Sequence, residues 1–406
     1  MNICFFSLVT YWHGIKGGME IHEKLLSEEL VKRGHHLTFI STRHPEGKEF
    51  ENHDGIDIHY LKNTIFGSQW RKWKQESIRK FLELGEKKKF DLICCTPAII
   101  PKELIPIAEK KKIPVAVILE GHELQIFLSE LKQTLNHKKG YIKLLKTSLA
   151  SLVHYFCWEL PVFKKCSLII AVSDEVARTT QKWYFVDKKK IHTVYNGIET
   201  GIFCPDQEKR ERIRSTFDIS HNEKLLLFFS FVTKQKGLHI LINALSEILK
   251  SYTQIKLMVV GDGDYLSDAK KTVKQSGLDN HVIFTGHIPR ENSSEYINAS
   301  DIYILPTLRQ EGMPFSLLEA MSCQKPVLAS NIGGLPSVID DGINGLLIPP
   351  GNTDQLVQKI LYLLDNKDFS QRLAENARKK AVEKFSLKRM VDETAELFEL
   401  AIAQKQ

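Results

Sequence analysis

Short apolar runs alternate with longer amphipathic stretches along most of the chain. In the first half the apolar runs lie at 3–8, 37–41, 56–61, 92–95, 115–119, 168–172 and 191–195. In the second half they lie at 225–231, 256–260, 282–284, 302–305, 327–329 and 345–348. Runs of this length, separated by stretches of helical period, predict buried strands that alternate with helices. This alternation is typical of parallel sheets that carry helices on both faces.

The two sets of runs predict two doubly wound α/β domains. A polar segment at 199–223, which contains the charged letters QEKRER, separates the sets and is interpreted as the connection. We therefore predict an N-terminal domain at 1–200, a C-terminal domain at 201–385 and a final helix at 386–406 that could pack back on the N-terminal domain. Because such sheets bind ligands outside the carboxyl ends of their strands, the chemistry is expected on loops that follow strands.

The composition is that of a soluble globular protein, with 43% hydrophobic and 26% charged residues in a chain of 406. The seven cysteines are odd in number and include no C-x-x-C pair, which predicts a reducing, cytoplasmic compartment without disulfides or a zinc site. The first residues, MNICFFSLVTYW, lack the basic start of a signal peptide, and no apolar run reaches the roughly 18 residues of a membrane span.

The stretch QEGMPFSLLEAM at 310–321 contains the first candidate site. Pro314 suits the first turn of a helix, and the apolar residues that follow recur at helical spacing. Glu311 is therefore expected just before a helix N-terminus, and Glu319 within the first two turns. The alternative is an acidic residue that favours a helix start, followed by one solvated glutamate.

Other loops after strands carry residues suited to a phosphorylated ligand. Gly17 and Gly18 lead into a helix, and Lys234 and Lys236 follow a strand in the letters TKQKG. Glycines let a backbone approach a ligand closely, and lysine and helix N-terminal N–H groups attract phosphate. His122 also follows a strand, although a lone histidine is more often structural. The glycine pair could equally be a flexible turn.

The dinucleotide fingerprint G-x-G-x-x-G and the P-loop G-x-x-x-x-G-K-[ST] are both absent from the sequence. This argues against a dehydrogenase and against a P-loop kinase. Several phosphate-friendly loops without a cluster of metal ligands predict a diphosphate that is held by lysine and backbone N–H groups, with no metal.

Five stretches together resemble a known family. Glu311 and Glu319 lie in PTLRQEGMPFSLLEAMSCQKPVLASNIGGLPSVI, and AVSDEVA, VYNGIETGIF, TKQKG and VVGDGDYL occur in the family's order. The pattern resembles the retaining nucleotide-sugar glycosyltransferases of the GT-B fold, glycosyltransferase family four, also called glycosyl transferases group 1. The resemblance covers nearly the whole chain and is strongest at 168–350. It implies two Rossmann-like domains that face each other across a cleft.

The resemblance also implies the role of each candidate residue. Glu319 would accept hydrogen bonds from the ribose of the donor, and Glu311 would face the donor sugar near its reacting carbon. Catalysis would further involve His122 and Lys236, the family's donor-sugar histidine and phosphate lysine. Other contacts to the donor would come from Gly17, Gly18, Lys234, Gly312, Phe315, Ser316 and Leu317. The reaction implied is hexosyl transfer from a nucleoside diphosphate sugar with retention, without a metal or other cofactor.

Two positions depart from the family pattern. Phe231 stands where family members usually carry an arginine, five residues before the lysine of KG, and Lys234 could replace that charge. Ser337 stands where the pattern GG-x-P-E ends in glutamate. The departures leave open an alternative function, a non-catalytic nucleotide-sugar-binding protein of the same fold.

The acceptor side is less defined. The segment 131–158 contains no acidic residue, and Lys139, Lys143 and Lys146 take one helical face while leucines and an isoleucine take another. This is either a solvated amphipathic helix or an interfacial helix on an anionic membrane. Nucleic acid fits poorly because no recognised motif accompanies the charge. A glycan or lipid-linked acceptor is expected, with the protein cytoplasmic and peripheral at the inner face of the membrane.

Overall fold

The computed structural model describes residues 1–15, 17–69, 72–96, 100–121 and 155–405. The chain divides into two compact units, Met1–Gly197 with Leu387–Gln406, and Ile198–Ser386. Within the described ranges, no helix has both the length and the apolar character needed to cross a membrane.

The described strands of the first unit form one sheet. Its strands are Asn2–Ser7 (β1), His36–Thr42 (β2), Phe50–His53 (β3), Ile56–Leu61 (β4), Leu92–Cys95 (β5), Val115–Leu119 (β6), Leu168–Ala171 (β7) and Ile191–Thr193 (β8). They lie in the order β3-β4-β2-β1-β5-β6-β7-β8. The α-helices among the described residues before 197 are Gly18–Lys32 (α1), Trp73–Lys87 (α2), Leu104–Lys110 (α3), Leu160–Lys165 (α4) and Asp174–Tyr184 (α5). The central strands are buried on both faces, as their unbroken apolar runs predicted.

One strand of this sheet contradicts the all-parallel prediction. β3 pairs antiparallel with β4, in a hairpin closed by Asp54 and Gly55. Both turn residues have positive φ, 50° and 95°, as the tight turns of hairpins require. The strand was missed because its sequence, FENH, lies at the sheet edge with only partial burial and has no apolar run.

The second unit contains an all-parallel sheet with helices around it. Its strands are Lys224–Phe229 (β9), Ile255–Val260 (β10), Val282–Gly286 (β11), Ile302–Leu305 (β12), Val327–Ser330 (β13) and Leu346–Ile348 (β14), in the order β11-β10-β9-β12-β13-β14. Its helices are Gln207–Thr216 (α6), Leu238–Ile248 (α7), Leu266–Gln275 (α8), Ser293–Ala299 (α9), Phe315–Ser322 (α10), Leu335–Val338 (α11), Thr353–Asp365 (α12) and Lys367–Lys384 (α13). Two doubly wound α/β domains, as predicted, are therefore confirmed.

The polar segment interpreted as a connection is instead part of the second unit. α6 occupies its charged run and is capped by the Asp206 side chain, which accepts a hydrogen bond from the backbone N–H of Lys209 at 2.9 Å. Arg210 on this helix forms an ion pair with Asp301 at 2.9 Å. The charged letters therefore form a polar helix, while the chain passes between the units near Gly197.

The final helix, Leu387–Ala403 (α14), belongs to the first unit. Its apolar side buries Met390, Val391 and Phe398 in the same core cluster as Ile3 and Phe5 of β1. The two points at which the chain passes between the units lie together, since Ile198 and Ser386 form a parallel bridge.

In each unit one pair of central strands marks the point where the chain reverses its direction of travel across the sheet. In the second unit this point lies between β9 and β12, and in the first between β1 and β5. The loops at the carboxyl ends of such a pair splay apart and form the usual ligand crevice of a doubly wound sheet.

Candidate active site

The loop after β9 forms a single 3-10 turn, Lys234–Lys236, that ends at Gly237. Gly237 has φ +79°, and a Cβ there would lie 1.9 Å from the carbonyl oxygen of Pro306, so only glycine fits. Pro306 begins the loop after β12, whose Leu308 N–H donates to the carbonyl of Gln235 at 2.8 Å. The two loops on either side of the reversal point are thereby held together.

Lys236 and Glu311, one from each of these loops, form an ion pair. The Nζ of Lys236 lies 2.8 Å from Oε1 of Glu311, and the side chains are only 13% and 10% exposed. The hydroxyl of Thr307 donates to the same carboxylate oxygen at 2.9 Å. Because charge-assisted hydrogen bonds are the strong ones, this arrangement fixes an ammonium and a carboxylate at the carboxyl ends of β9 and β12.

A glycine pair holds the backbone of Glu311. Gly333 has φ +60°, and a Cβ there would lie 2.5 Å from the carbonyl oxygen of Glu311. The N–H of Gly334 donates to that same carbonyl at 2.7 Å. Gly333 and Gly334 are thus packed tightly against Glu311 and fix its position.

The helix α10 begins after the loop that carries Glu311. Pro314 is its N-cap and Phe315 its first residue, so the predicted helix start is correct. Phe315 and Leu317 are buried, and the Ser316 hydroxyl lies 2.8 Å from the hydroxyl of Tyr303. The first N–H groups of a helix have no partner within it and carry partial positive charge. The first N–H groups of α10 follow Gly312 and therefore lie close in sequence to Glu311.

Glu319 is buried within α10 and is only 4% exposed. Its Oε1 lies 3.3 Å from Nη2 of Arg290, whose Nη1 lies 2.8 Å from Glu199. Burial raises the pKa of Glu319 to about 7, although the positive charge of Arg290 opposes that shift. The carboxylate that was expected to bind the donor ribose therefore already has a cationic neighbour.

The sequence interpretation missed Arg290, Glu199 and Thr307. Arg290 lies in a short 3-10 turn after β11, in the letters HIPREN, and so follows the carboxyl end of a strand. The rule that chemistry lies on loops after strands could have found it. Thr307 and Glu199 lie in two of the stretches quoted for the family resemblance, but neither was given a role, because their roles depend on contacts formed by folding.

The predicted glycine loop lies in the first unit. Gly17 is the N-cap of α1 and Gly18 its first residue. Gly17 has an ordinary backbone conformation, but a Cβ there would lie 2.4 Å from the Glu20 carboxylate. One residue of α1, Glu23, lies at the reversal point of this sheet: its carboxylate accepts hydrogen bonds from Ser7 at the end of β1 and from Thr96 after β5. Its burial raises its pKa to about 8.

Lys234 is exposed, and Phe231, in the place of the family arginine, is 56% exposed. His122 and the three lysines Lys139, Lys143 and Lys146 lie outside the described residues, so their predicted roles stay predictions.

Comparison with known proteins gives matches along both units. The family model for glycosyl transferases group 1 matches residues 209–380, and that for glycosyltransferase family 4 matches residues 16–201. An uncharacterized glycosyltransferase of Methanocaldococcus jannaschii is 25% identical over 394 residues, covering 96% of this chain and 95% of that protein. The alpha-monoglucosyldiacylglycerol synthase of Streptococcus pneumoniae is 24% identical over 387 residues, covering 90% of this chain and 83% of the enzyme.

A solved structure has the same fold. Sucrose-phosphate synthase from Thermosynechococcus elongatus superposes with a TM-score of 0.80 at 19% sequence identity, and the match covers 99% of each chain.

Proposed function

The chain belongs to the group 1 glycosyltransferases of the GT-B fold, and on that basis we propose that it transfers a hexosyl group from a nucleoside diphosphate sugar to a glycan or lipid-linked acceptor. The observation that carries the proposal is the Lys236–Glu311 pair at the carboxyl ends of β9 and β12, followed directly by the start of α10.

Charge stabilisation is the central task of such a reaction. When the bond between the anomeric carbon and the diphosphate breaks, negative charge develops on the departing phosphate oxygen. A fixed ammonium on Lys236 and the N–H groups that begin α10 can stabilise this charge without rearranging. A diphosphate stabilised in this way leaves readily, so the reaction does not need the carboxylic acid with which glycosidases protonate a poor leaving group.

The proposal includes retention of configuration and independence of metal ions. In it, the departing phosphate accepts the proton of the acceptor hydroxyl on the same face of the sugar, while the new glycosidic bond forms on that face. Glu311 faces the donor sugar near its anomeric carbon, and Lys236 and Thr307 keep its carboxylate in place. Lysine and backbone N–H groups take the part that a divalent cation has in other nucleotide-sugar enzymes.

A screen of donors tests the proposal. We expect one of the UDP, GDP or ADP sugars to raise the melting temperature, because a ligand that binds only the native state stabilises it. The same donor should then release nucleoside diphosphate in the presence of an acceptor, with or without a chelator. An unchanged melting temperature with every nucleotide sugar would contradict the proposal.

A second candidate function, a non-catalytic nucleotide-sugar-binding protein, is favoured by Phe231. This side chain is exposed in the loop that carries Lys236, where it supplies no charge for a diphosphate. The same experiment separates the two functions: a silent binder responds to a donor in the thermal screen and releases no product with any acceptor.

We also propose that the protein acts on the inner face of the membrane. The support is the acid-free segment 131–158 and the similarity to a synthase whose name specifies a diacylglycerol glycolipid. Lysines on one face of an amphipathic helix would attract anionic headgroups, at roughly 1 kcal/mol for each basic residue near the surface.

Liposome co-sedimentation tests the membrane proposal. The protein should sediment with vesicles that contain phosphatidylglycerol, less as salt rises, because exposed charges are screened over about 8–10 Å at physiological ionic strength. Replacing Lys139, Lys143 and Lys146 with glutamate should abolish this binding. The control replaces three exposed lysines of the second unit, Lys367, Lys379 and Lys384, with glutamate and should retain it. Equal binding to neutral and anionic vesicles would count against the electrostatic part.

A further inference from the structure

Arg290 is the residue through which two carboxylates of the second unit meet. It begins the 3-10 turn Arg290–Asn292 after β11, and its guanidinium donates to Glu199 at 2.8 Å and to Glu319 at 3.3 Å. The guanidinium also lies 5.2 Å from the centre of the Phe203 ring, a cation–π contact on a fully buried aromatic side chain. Two carboxylates and one aromatic ring thus contact the same guanidinium.

We propose that Arg290 is a positioning residue for donor binding: anchored by Glu199, it keeps the Glu319 carboxylate ionised and directed toward the ribose hydroxyls of the nucleotide. The proposal rests on the proposed function, because it takes Glu319 as the ribose-binding group. Arg290 itself need not touch the donor.

The electrostatic reason lies in the burial of Glu319. Two hydroxyls of a ribose donate hydrogen bonds best to an ionised carboxylate, which accepts at both oxygens, whereas a protonated carboxyl uses one oxygen as a donor. Burial disfavours ionisation and raises the pKa of Glu319, and the nearby charge of Glu199 raises it further. The guanidinium of Arg290 is the group that lowers it.

The charged and titratable neighbours of Glu319 can be named. Arg290 and Glu199 shift the pKa of its carboxylate directly. Beyond the effect of burial, the charge of Glu319 in turn raises the pKa of Tyr303 in β12 and of Cys323 at the end of α10. Burial raises the pKa of both the phenol and the thiol, the thiol to about 12, so both stay neutral near pH 7. Among these neighbours only Arg290 and Glu199 can change the ionisation of Glu319, and they act with opposite sign.

This opposition provides the test. Calorimetry measures the affinity of the protein for UDP, GDP and ADP, and for the 2′,3′-dideoxy analogue of each, which lacks the ribose hydroxyls. Both members of a pair carry the same diphosphate, so the ratio of their affinities cancels its titration. We expect the native protein to prefer the ribonucleotide by about 10-fold or more above pH 7. The preference should decline as pH falls through the pKa of Glu319.

Arg290 and Glu199 variants should shift this profile in opposite directions. Arg290→Gln removes the favourable charge, so the preference should be lost at pH 7 and regained only in more alkaline solution. Arg290→Lys retains a cation and should recover part of the preference for the ribonucleotide. Glu199→Gln removes the unfavourable charge, so the preference should persist to lower pH than in the native protein.

Each outcome has a distinct meaning. A purely structural Arg290 would lower the melting temperature of Arg290→Gln and leave the pH profile of the preference in place, which would overturn the inference alone. Shifts of the same sign in the Arg290 and Glu199 variants would also overturn it. Native protein that binds a diphosphate without preferring ribose would remove Glu319 from the ribose. Native protein that binds none of the diphosphates would overturn the proposed function as well.

Discussion

Lys236→Ala should lower the turnover number for glycosyl transfer by about 100-fold or more, since removing one preorganised donor from a developing negative charge typically has this effect. The ammonium lies 2.8 Å from Glu311 in a loop that packs closely against Pro306 at Gly237, so its position at the carboxyl ends of β9 and β12 is well defined. The measurement is the initial rate at saturating donor, at a temperature where the melting curve shows the variant folded.

Two further lysine variants control this result. Lys250→Ala removes an exposed lysine beyond the other end of α7, where its ammonium pairs with Glu247 on the surface, and should keep native turnover. Lys234→Ala removes the exposed neighbour in the same turn and should have a smaller effect than Lys236→Ala. Near-normal turnover in Lys236→Ala, with a large loss in Lys234→Ala, would assign the phosphate role to Lys234.

Glu319→Ala should weaken nucleoside diphosphate binding at pH 8 by at least about 10-fold, because a hydrogen bond to a charged group contributes roughly 1.5–3 kcal/mol. At this pH, above its raised pKa of about 7, the carboxylate of the native protein is ionised and accepts hydrogen bonds from the ribose. Isothermal titration with UDP, GDP and ADP measures the loss.

A matched substitution separates the ribose role from general damage. Glu319→Gln keeps the shape of the side chain and removes the charge, and it should lose most of the same affinity. Glu291→Gln makes the identical change at an exposed position of the turn that carries Arg290, and it should bind like the native protein. Unchanged affinity in folded Glu319→Ala would remove this residue from the nucleotide site.

Much of the fold could be predicted because buried strands leave a direct trace in the sequence. The apolar runs at 92–95 and 302–305 correspond to β5 and β12 without an error in their ends, since both faces of each strand are buried. β3 had no such trace, because an edge strand with exposed side chains needs no apolar residues. The polar segment at 199–223 was misread because polarity describes an exposed helix as well as a connection.

The site was predictable in its position but not in its contacts. Lys236 and Glu311 both follow strands, so their place at one edge of the sheet could be expected from topology alone. The ion pair between them could not be predicted, because it depends on the close packing that Gly237 allows against Pro306 and Gly333 allows against Glu311. Arg290 was missed for a related reason: its two carboxylate partners, Glu199 and Glu319, are far from it in the sequence and become neighbours only in the folded unit.

The return of the chain to the first unit at Leu387 has a consequence for biosynthesis. A ribosome makes the segment that supplies Met390, Val391 and Phe398 only after the whole of the second unit. Until then this core cluster of the first unit lacks the side chains of α14, so the nascent first unit leaves part of its apolar core uncovered. The second unit, continuous in sequence, can complete its own core first. The unit that is synthesised first therefore completes its core last.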